Sequence, residues 1–152
     1  MNQLSPTRGP RLSAETIHAS TVASNGRAVL ITGPSGSGKS DLALRLLERG
    51  FTLVSDDQTI VRKDGDVLLA SAPTTIAGKL EVRGLGIIEM EHTENVPVAL
   101  LVELTSDIQR LPDDSRERPV LGVRLPLISI DAMTASAAAK VALALDRMGL
   151  KL

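Results

Sequence analysis

Arg27-Ala28-Val29-Leu30-Ile31-Thr32-Gly33-Pro34-Ser35-Gly36-Ser37-Gly38-Lys39-Ser40 runs from an apolar, strand-like segment through a glycine-rich loop, and the amphipathic stretch Asp41 to Arg49 follows. This succession decides the fold class. Gly33 to Ser40 has the composition of a phosphate-binding loop. Its glycines let backbone N–H groups turn inward around a polyphosphate, Lys39 brings a mobile positive charge to the β- and γ-phosphates, and Ser40 can place a hydroxyl on Mg²⁺. A helix beginning near Lys39 points its positive dipole end at the same anion. A Gly/Ser turn that only joined a strand to a helix would need neither Lys39 nor three glycines. Leu42, Leu46 and Leu47 share one face of the helix, and Gly50 suits the left-handed position at its end.

Outward from the loop, Glu15 to Ala23 reads as a strand that Asn25-Gly26 turns into Arg27 to Thr32. Phe51 to Ser55 reads as a short buried strand. Lys63-Asp64-Gly65-Asp66 marks a second hairpin between Gln58 to Arg62 and Val67 to Ala70. Pro73 to Lys79 is a loop, and Leu80 to Met90 mixes strand-like residues with Gly84 and Gly86. Pro97 to Leu104 is apolar on both faces and belongs in the middle of a sheet. Thr105 to Pro119 reads as an exposed loop, Val120 to Ile130 as one or two short strands, and Ser136 to Leu150 as a helix with Val141, Leu145 and Met148 on one face. The class is α/β, with too few helices for an ordinary Rossmann-like arrangement.

The 152 residues suit one domain at 12–152 behind a mobile leader at 1–11, where Ser5, Pro6, Gly9 and Pro10 cluster. Net charge is −1 without a basic run, which argues against general nucleic-acid affinity. The absence of cysteine excludes disulfides and thiolate chemistry. No apolar run approaches the roughly 20 residues of a membrane helix, and the N-terminus lacks the apolar centre of a signal peptide. A cytoplasmic ATP-using protein is the expectation. Phe51 is the only aromatic residue, so a nucleotide base would be held by aliphatic contacts and backbone groups and read weakly.

Phe51-Thr52-Leu53-Val54-Ser55-Asp56-Asp57 ends a strand in paired carboxylates. In a parallel sheet that end would lie beside the phosphate loop. Beside Mg²⁺·ATP one acid can hold the metal or its water while the other accepts a proton from an attacking hydroxyl, although an Asx-type turn capping the strand is the simpler alternative. His18 alternates in Thr16-Ile17-His18-Ala19-Ser20, next to the loop strand through the hairpin; a lone histidine is more often structural. His92 lies in a polar loop and reads as solvated. In Glu81-Val82-Arg83-Gly84-Leu85-Gly86-Ile87-Ile88, period-two geometry puts Glu81 and Arg83 on one face, where they could serve metal and phosphate or only form a surface ion pair before a bulge.

Together, the strand with its Gly-x-Ser-Gly-x-Gly-Lys-Ser loop, Arg49-Gly50, the Leu-Val-x-Asp-Asp strand and the Glu81 to Ile88 block resemble the catalytic domain of bacterial HPr kinase/phosphorylase, strongly over His18 to Ile88 and more loosely beyond. The resemblance implies a P-loop kinase domain with a mixed sheet, similar to the nucleotide-binding core of phosphoenolpyruvate carboxykinase, and a homo-oligomer, in many members a hexamer. It implies ATP and Mg²⁺ as cofactors, the phosphocarrier HPr as partner, phosphorylation of an HPr serine, and phosphorolysis of that phosphoserine. By position it makes His18 the active-site histidine, Lys39 the loop lysine, Ser40, Asp56 and Glu81 metal ligands, Asp57 the proton acceptor, Arg110 the catalytic arginine, and Glu81, Arg83, Gly84 and Gly86 the signature block. The neighbours of Arg110 differ from the family's Tyr-Asp-Arg-Leu. The family's Pro-Val-Arg-Pro-Gly-Arg loop is replaced near Ser129 to Thr134 by residues without arginine, so weak phosphorolysis is expected. Short single-domain members of this kind occur in α-proteobacteria. A small-molecule P-loop kinase and a nucleotide-binding regulator without catalysis are the alternatives.

Overall fold

The structure, a computed structural model, describes residues 13–107 and 116–152. The leader expected at 1–11 and Arg110 lie outside the described residues. In chain order the elements are β1 (Ala14–Ile17), β2 (Ala19–Ser24), β3 (Arg27–Thr32), α1 (Lys39–Leu47), β4 (Thr52–Ser55), β5 (Thr59–Asp64), β6 (Val67–Ser71), β7 (Lys79–Val82), β8 (Gly86–Glu89), β9 (Val96–Leu104), β10 (Glu117–Val120), β11 (Val123–Ile130) and α2 (Ala137–Met148).

The sheet is organised around β9, whose Val, Leu and Ala residues are buried on both faces. One edge of β9 pairs in parallel with β3, from Ala28 opposite Val98 to Thr32 opposite Glu103. The other edge is shared: Val96 and Pro97 pair antiparallel with β6, while Leu101 to Leu104 pair in parallel with β11. The sheet therefore forks at β9, with β6, β5 and β1 on one arm and β11 and β10 on the other, and continues through β3 to β2 and β4. This is the expected mixed sheet.

Alternation along the strands sorts the core into two clusters. Val29, Ile31, Leu100 and Val102 face the helices and pack with Leu42 and Leu46 of α1 and Val141 and Leu145 of α2. Ala28, Leu30, Val98 and Leu101 face the opposite way and pack with Val61, Leu68 and Leu125. Val29 pairs with Leu100 one step after Ala28 pairs with Val98, so Ala99 is the extra residue of a bulge. Its carbonyl accepts the Leu150 N–H at 3.0 Å, which pins the chain after α2 to the sheet.

Several expectations hold. Asn25 and Gly26, at φ 53° and 76°, close the hairpin between β2 and β3, as the positive φ values of a type I′ turn require. Others need correction. Glu15 to Ala23 is two strands, because β1 pairs with β5 while β2 pairs with β3 and β4, and the chain passes between these arms at His18. β4 is not a parallel neighbour of the loop strand: β2 lies between and is antiparallel to both, so β3 and β4 still point the same way. Glu117 to Pro119, expected in a loop, belong to β10, an edge strand where proline costs no sheet hydrogen bond. Met148 is 59% exposed, because the chain leaves the helix at Gly149 and Leu150 takes over the packing.

The two sides of this core make a direct test. Leu100→Ala removes a fully buried side chain from β9 and should lower stability by about 2–5 kcal/mol, whereas Leu143→Ala on the exposed side of α2 should stay within about 0.5 kcal/mol. Thermal unfolding of the two variants checks the difference; equal melting temperatures would place the core wrongly.

Candidate active site

The loop after β3 is shaped by Gly33 and Gly38, which no other residue could replace without movement. A Cβ at Gly33 would come within 2.7 Å of Ser37 Oγ and 3.1 Å of Leu104 Cβ. Gly38 caps α1 at φ 101°, a left-handed conformation, and a Cβ there would lie 3.1 Å from Ala132 Cβ. No side chain caps α1, so its first-turn N–H groups remain available to an anion. Lys39 is buried and folds back over its own loop, donating from Nζ to Gly33 O at 2.9 Å and Pro34 O at 3.1 Å. An ammonium has three donors, which leaves one for a phosphate oxygen.

β4 delivers the two acids to different surroundings. Asp56 is 7% exposed, and Ser20 Oγ and Ser40 Oγ donate to its Oδ1 at 2.8 and 2.7 Å while Glu81 N–H donates to Oδ2 at 3.1 Å. Asp57 turns outward at φ 69°, a left-handed conformation that aspartate tolerates better than most residues. Its N–H donates to Ser20 Oγ at 3.1 Å, and its Oδ1 accepts from His18 Nε2 at 2.6 Å. A carboxylate has only acceptors, so the histidine supplies the proton. Both partners are open to solvent, their side chains 50% and 62% exposed.

Reading the residues one by one missed Ser20, which donates to one acid and accepts from the peptide of the other. Its place two residues after His18 was the available signal, but an ordinary serine in a strand carries no further mark. Thr21 and Thr59 lie below it, also unremarked. Thr59 Oγ1 donates to Ala19 O at 2.9 Å, so its contact with Thr21 Oγ1 at 2.7 Å is donated by Thr21.

His18, Ser40, Asp56, Asp57 and the backbone of Glu81 thus converge beside Lys39. The pairing of Glu81 with Arg83 on one strand face is not found: β7 ends at Val82, and Arg83, Gly84 and Leu85 form the turn into β8, with Gly84 at φ 88°. The Glu81 and Arg83 side chains are exposed. Gly86, at φ 101°, begins β8. Among the described residues no three His, Cys, Asp or Glu side chains form a metal cage. His92 is exposed, as expected, and its backbone bridges to Leu53.

Three parallel strands, β3, β9 and β11, end at the same side of the sheet, where ligands of α/β proteins collect. The segment after β11 rests on the phosphate loop. Ala132 meets Gly38, and Arg45 of α1 donates to Ala132 O and, at 3.3 Å, to Thr134 O. This is the stretch without arginine. Two arginines near the end of β9 share one acid, Arg118 meeting Glu103 at 3.2 Å and Arg116 at 3.8 Å, while Arg124, at the far end of β11, meets Glu117 at 3.2 Å.

Comparison with known proteins agrees with this geometry. Residues 11–146 match the family model for the HPr Serine kinase C-terminal domain. An HPr kinase/phosphorylase of Chlorobium chlorochromatii is 39% identical over 127 residues, covering 74% of this chain and 38% of that protein. One from Xylella fastidiosa is 41% identical over 121 residues, covering 69% and 38%. The chain therefore spans little more than a third of the length of the curated relatives it matches. The solved structure of the Hpr(Ser) kinase/phosphatase from Coxiella burnetii superimposes with a TM-score of 0.75 at 26% identity, covering 87% of this chain and 94% of that one. A phosphate loop, an exposed His–Asp pair and a buried acid bound to the loop serine thus occur in a chain that belongs to the HPr serine kinase C-terminal domain family.

Proposed function

We propose that this domain transfers the γ-phosphoryl group of ATP to a serine of the phosphocarrier HPr in the cytoplasm. The observation that carries the reading is the division between the acids: Asp56 is buried and hydrogen-bonded to the phosphate-loop Ser40, and Asp57 is open to solvent and held by His18. A nucleotide sensor has no use for an exposed carboxylate steered by a histidine beside its phosphate cradle. The relatives' names supply the protein substrate.

The residues fit Mg²⁺·ATP. Mg²⁺ is commonly held by one or two carboxylates together with substrate phosphates, and Asp56 with Ser40 meets that requirement without a cage of side chains. Glu81, whose N–H already reaches Asp56, stands as the second acid. The bound ion would offset negative charge building up on the β- and γ-phosphates. Lys39 and the N–H groups of the loop and first turn hold the phosphates and stabilise the charge that shifts during transfer. Asp57 takes the proton from the serine hydroxyl as the new O–P bond forms and the bond to the β-phosphate oxygen breaks. His18 engages Oδ1 and leaves Oδ2 for that proton. Ser20 is a positioning residue for both acids.

A protein substrate suits the surroundings better than a small molecule. The hairpin of β7 and β8, which reaches Asp56 through Glu81, exposes Leu85 at 74% and Ile87 at 68%. Large side chains exposed together commonly mark a protein contact.

Lys39→Ala should lower transfer from labelled ATP to HPr by about 10² or more, because one lost electrostatic contact in such a site costs a few kcal/mol of barrier. Asp57→Asn should abolish turnover while ATP still binds; normal phosphorylation by this variant would refute the base. Leu85→Asp with Ile87→Asp should raise KM for HPr several-fold with ATP affinity unchanged, and an unaltered KM would remove the hairpin from substrate docking. Phosphorolysis needs a second anion close to the phosphoserine, yet Asp131 to Ser136 offers no positive charge and Arg116, Arg118 and Arg124 face acids. Pyrophosphate release from phosphoserine-HPr and phosphate should therefore be slow beside the forward reaction, and equal rates would contradict this.

A further inference from the structure

We propose that Arg45 is a positioning residue for the phosphate cradle, its guanidinium bracing the segment after β11 against the helix and loop that would hold the nucleotide. The proposal rests on the reading of the loop as a triphosphate cradle and names the side chain that keeps it in shape.

Arg45 lies in the last turn of α1, where a basic side chain ordinarily offsets the helix dipole and pairs with an acid one turn back, here Asp41. Its contacts go beyond that role. Nε stands 3.2 Å from Asp41 Oδ2, while the other two nitrogens cross to a distant part of the chain, Nη1 to Thr134 O at 3.3 Å and Nη2 to Ala132 O. The side chain is only 28% exposed. A planar guanidinium can hold two carbonyls in a fixed geometry, whereas the ammonium of a lysine is a single point charge.

The braced segment is otherwise tied to itself. The Met133 and Thr134 N–H groups and the Thr134 hydroxyl all donate to Asp131. Among the described residues, the hydrogen bonds that join 131–134 to a part of the chain not adjoining it are the two from Arg45. Ala132 in turn presses on the loop, since a Cβ at Gly38 would lie 3.1 Å from the Ala132 Cβ. Gly38 caps α1, and its carbonyl accepts the Leu42 N–H at 2.9 Å, the first bond of the helix. Gly38 and Arg45 are about two turns apart on α1. The segment is thus seated on the cradle at one end and gripped by Arg45 at the other, and it fixes Gly38 where the first-turn N–H groups face the anion.

Without the brace the segment can lift from Gly38, and a cradle that holds its binding shape only part of the time binds correspondingly less tightly. Arg45→Lys keeps the charge beside Asp41 and the helix end but loses the fork. In calorimetry it should bind both ATP and inorganic triphosphate about tenfold more weakly, as for a cradle correctly formed about one-tenth of the time, while melting close to the unsubstituted protein. Arg45→Ala should show the same loss. Guanidinium chloride at about 10 mM, far below denaturing concentrations, should restore its triphosphate affinity, and sodium chloride at the same concentration should not. Asp41→Asn, which leaves both arms of the fork in place, should bind triphosphate no more weakly than the unsubstituted protein. If Arg45→Lys binds triphosphate with undiminished affinity, or Asp41→Asn loses as much as Arg45→Lys, the arginine serves only the helix end and its acid, and the proposal falls with the cradle intact. A loss in Arg45→Ala that guanidinium does not rescue would mark general damage to the fold and would equally overturn it. If the unsubstituted protein binds neither ATP nor triphosphate, the reading of the loop itself fails, and this proposal with it.

Discussion

Removing the Asp56 carboxylate from water is the constraint around which the site is assembled. An ionised acid transferred to a protein interior costs several kcal/mol unless its oxygens find donors. Asp56 finds three, from Ser20 on β2, from Ser40 at the start of α1 and from the Glu81 peptide on β7, at separations of 36, 16 and 25 residues in the chain. No single element can satisfy it. The acid is stable where it is only when strand, phosphate-loop helix and hairpin are all in place, so its hydrogen bonds align the parts of the site as well as neutralising the cost of burial.

Asp57, its neighbour, is released from this arrangement by one backbone conformation. A φ of 69° breaks the alternation of the strand and turns the second carboxylate out toward His18, while Ser20 holds its peptide N–H. Two adjacent acids thereby acquire opposite surroundings, one buried and held by three donors, the other exposed with a free oxygen. Separate environments of this kind are what the proposed division of roles between the two carboxylates would use.

The fork at β9 does the corresponding work for the rest of the site. Because β9 gives its first residues to β6 and its last to β11, the antiparallel arm ends early and leaves the ends of three parallel strands open beside the loop. The segment Asp131 to Thr134 closes part of that opening by resting on Gly38 and Arg45. A glycine at 38 and a small residue at 132 are linked requirements, since a Cβ at 38 would come within 3.1 Å of the Ala132 Cβ.

The phosphate loop, both hairpin turns, the central strand Pro97 to Leu104 and the two helices were legible because each depends on neighbours in the chain: glycines where φ is positive, apolar residues repeating at the period of a helix or strand. The resemblance of ordered motifs then named the family and singled out His18, Asp56, Asp57 and Glu81, although residues alone left a capping turn and a structural histidine open. The break at His18, the insertion of β2 between β3 and β4, the edge strand at Glu117, the role of Ser20 and the seating of Ala132 on Gly38 had no such local sign. Each follows from pairings between segments far apart in sequence, and which of two adjacent aspartates is buried is decided by where serine hydroxyls from other elements arrive, a matter of tertiary packing that no run of neighbouring residues encodes.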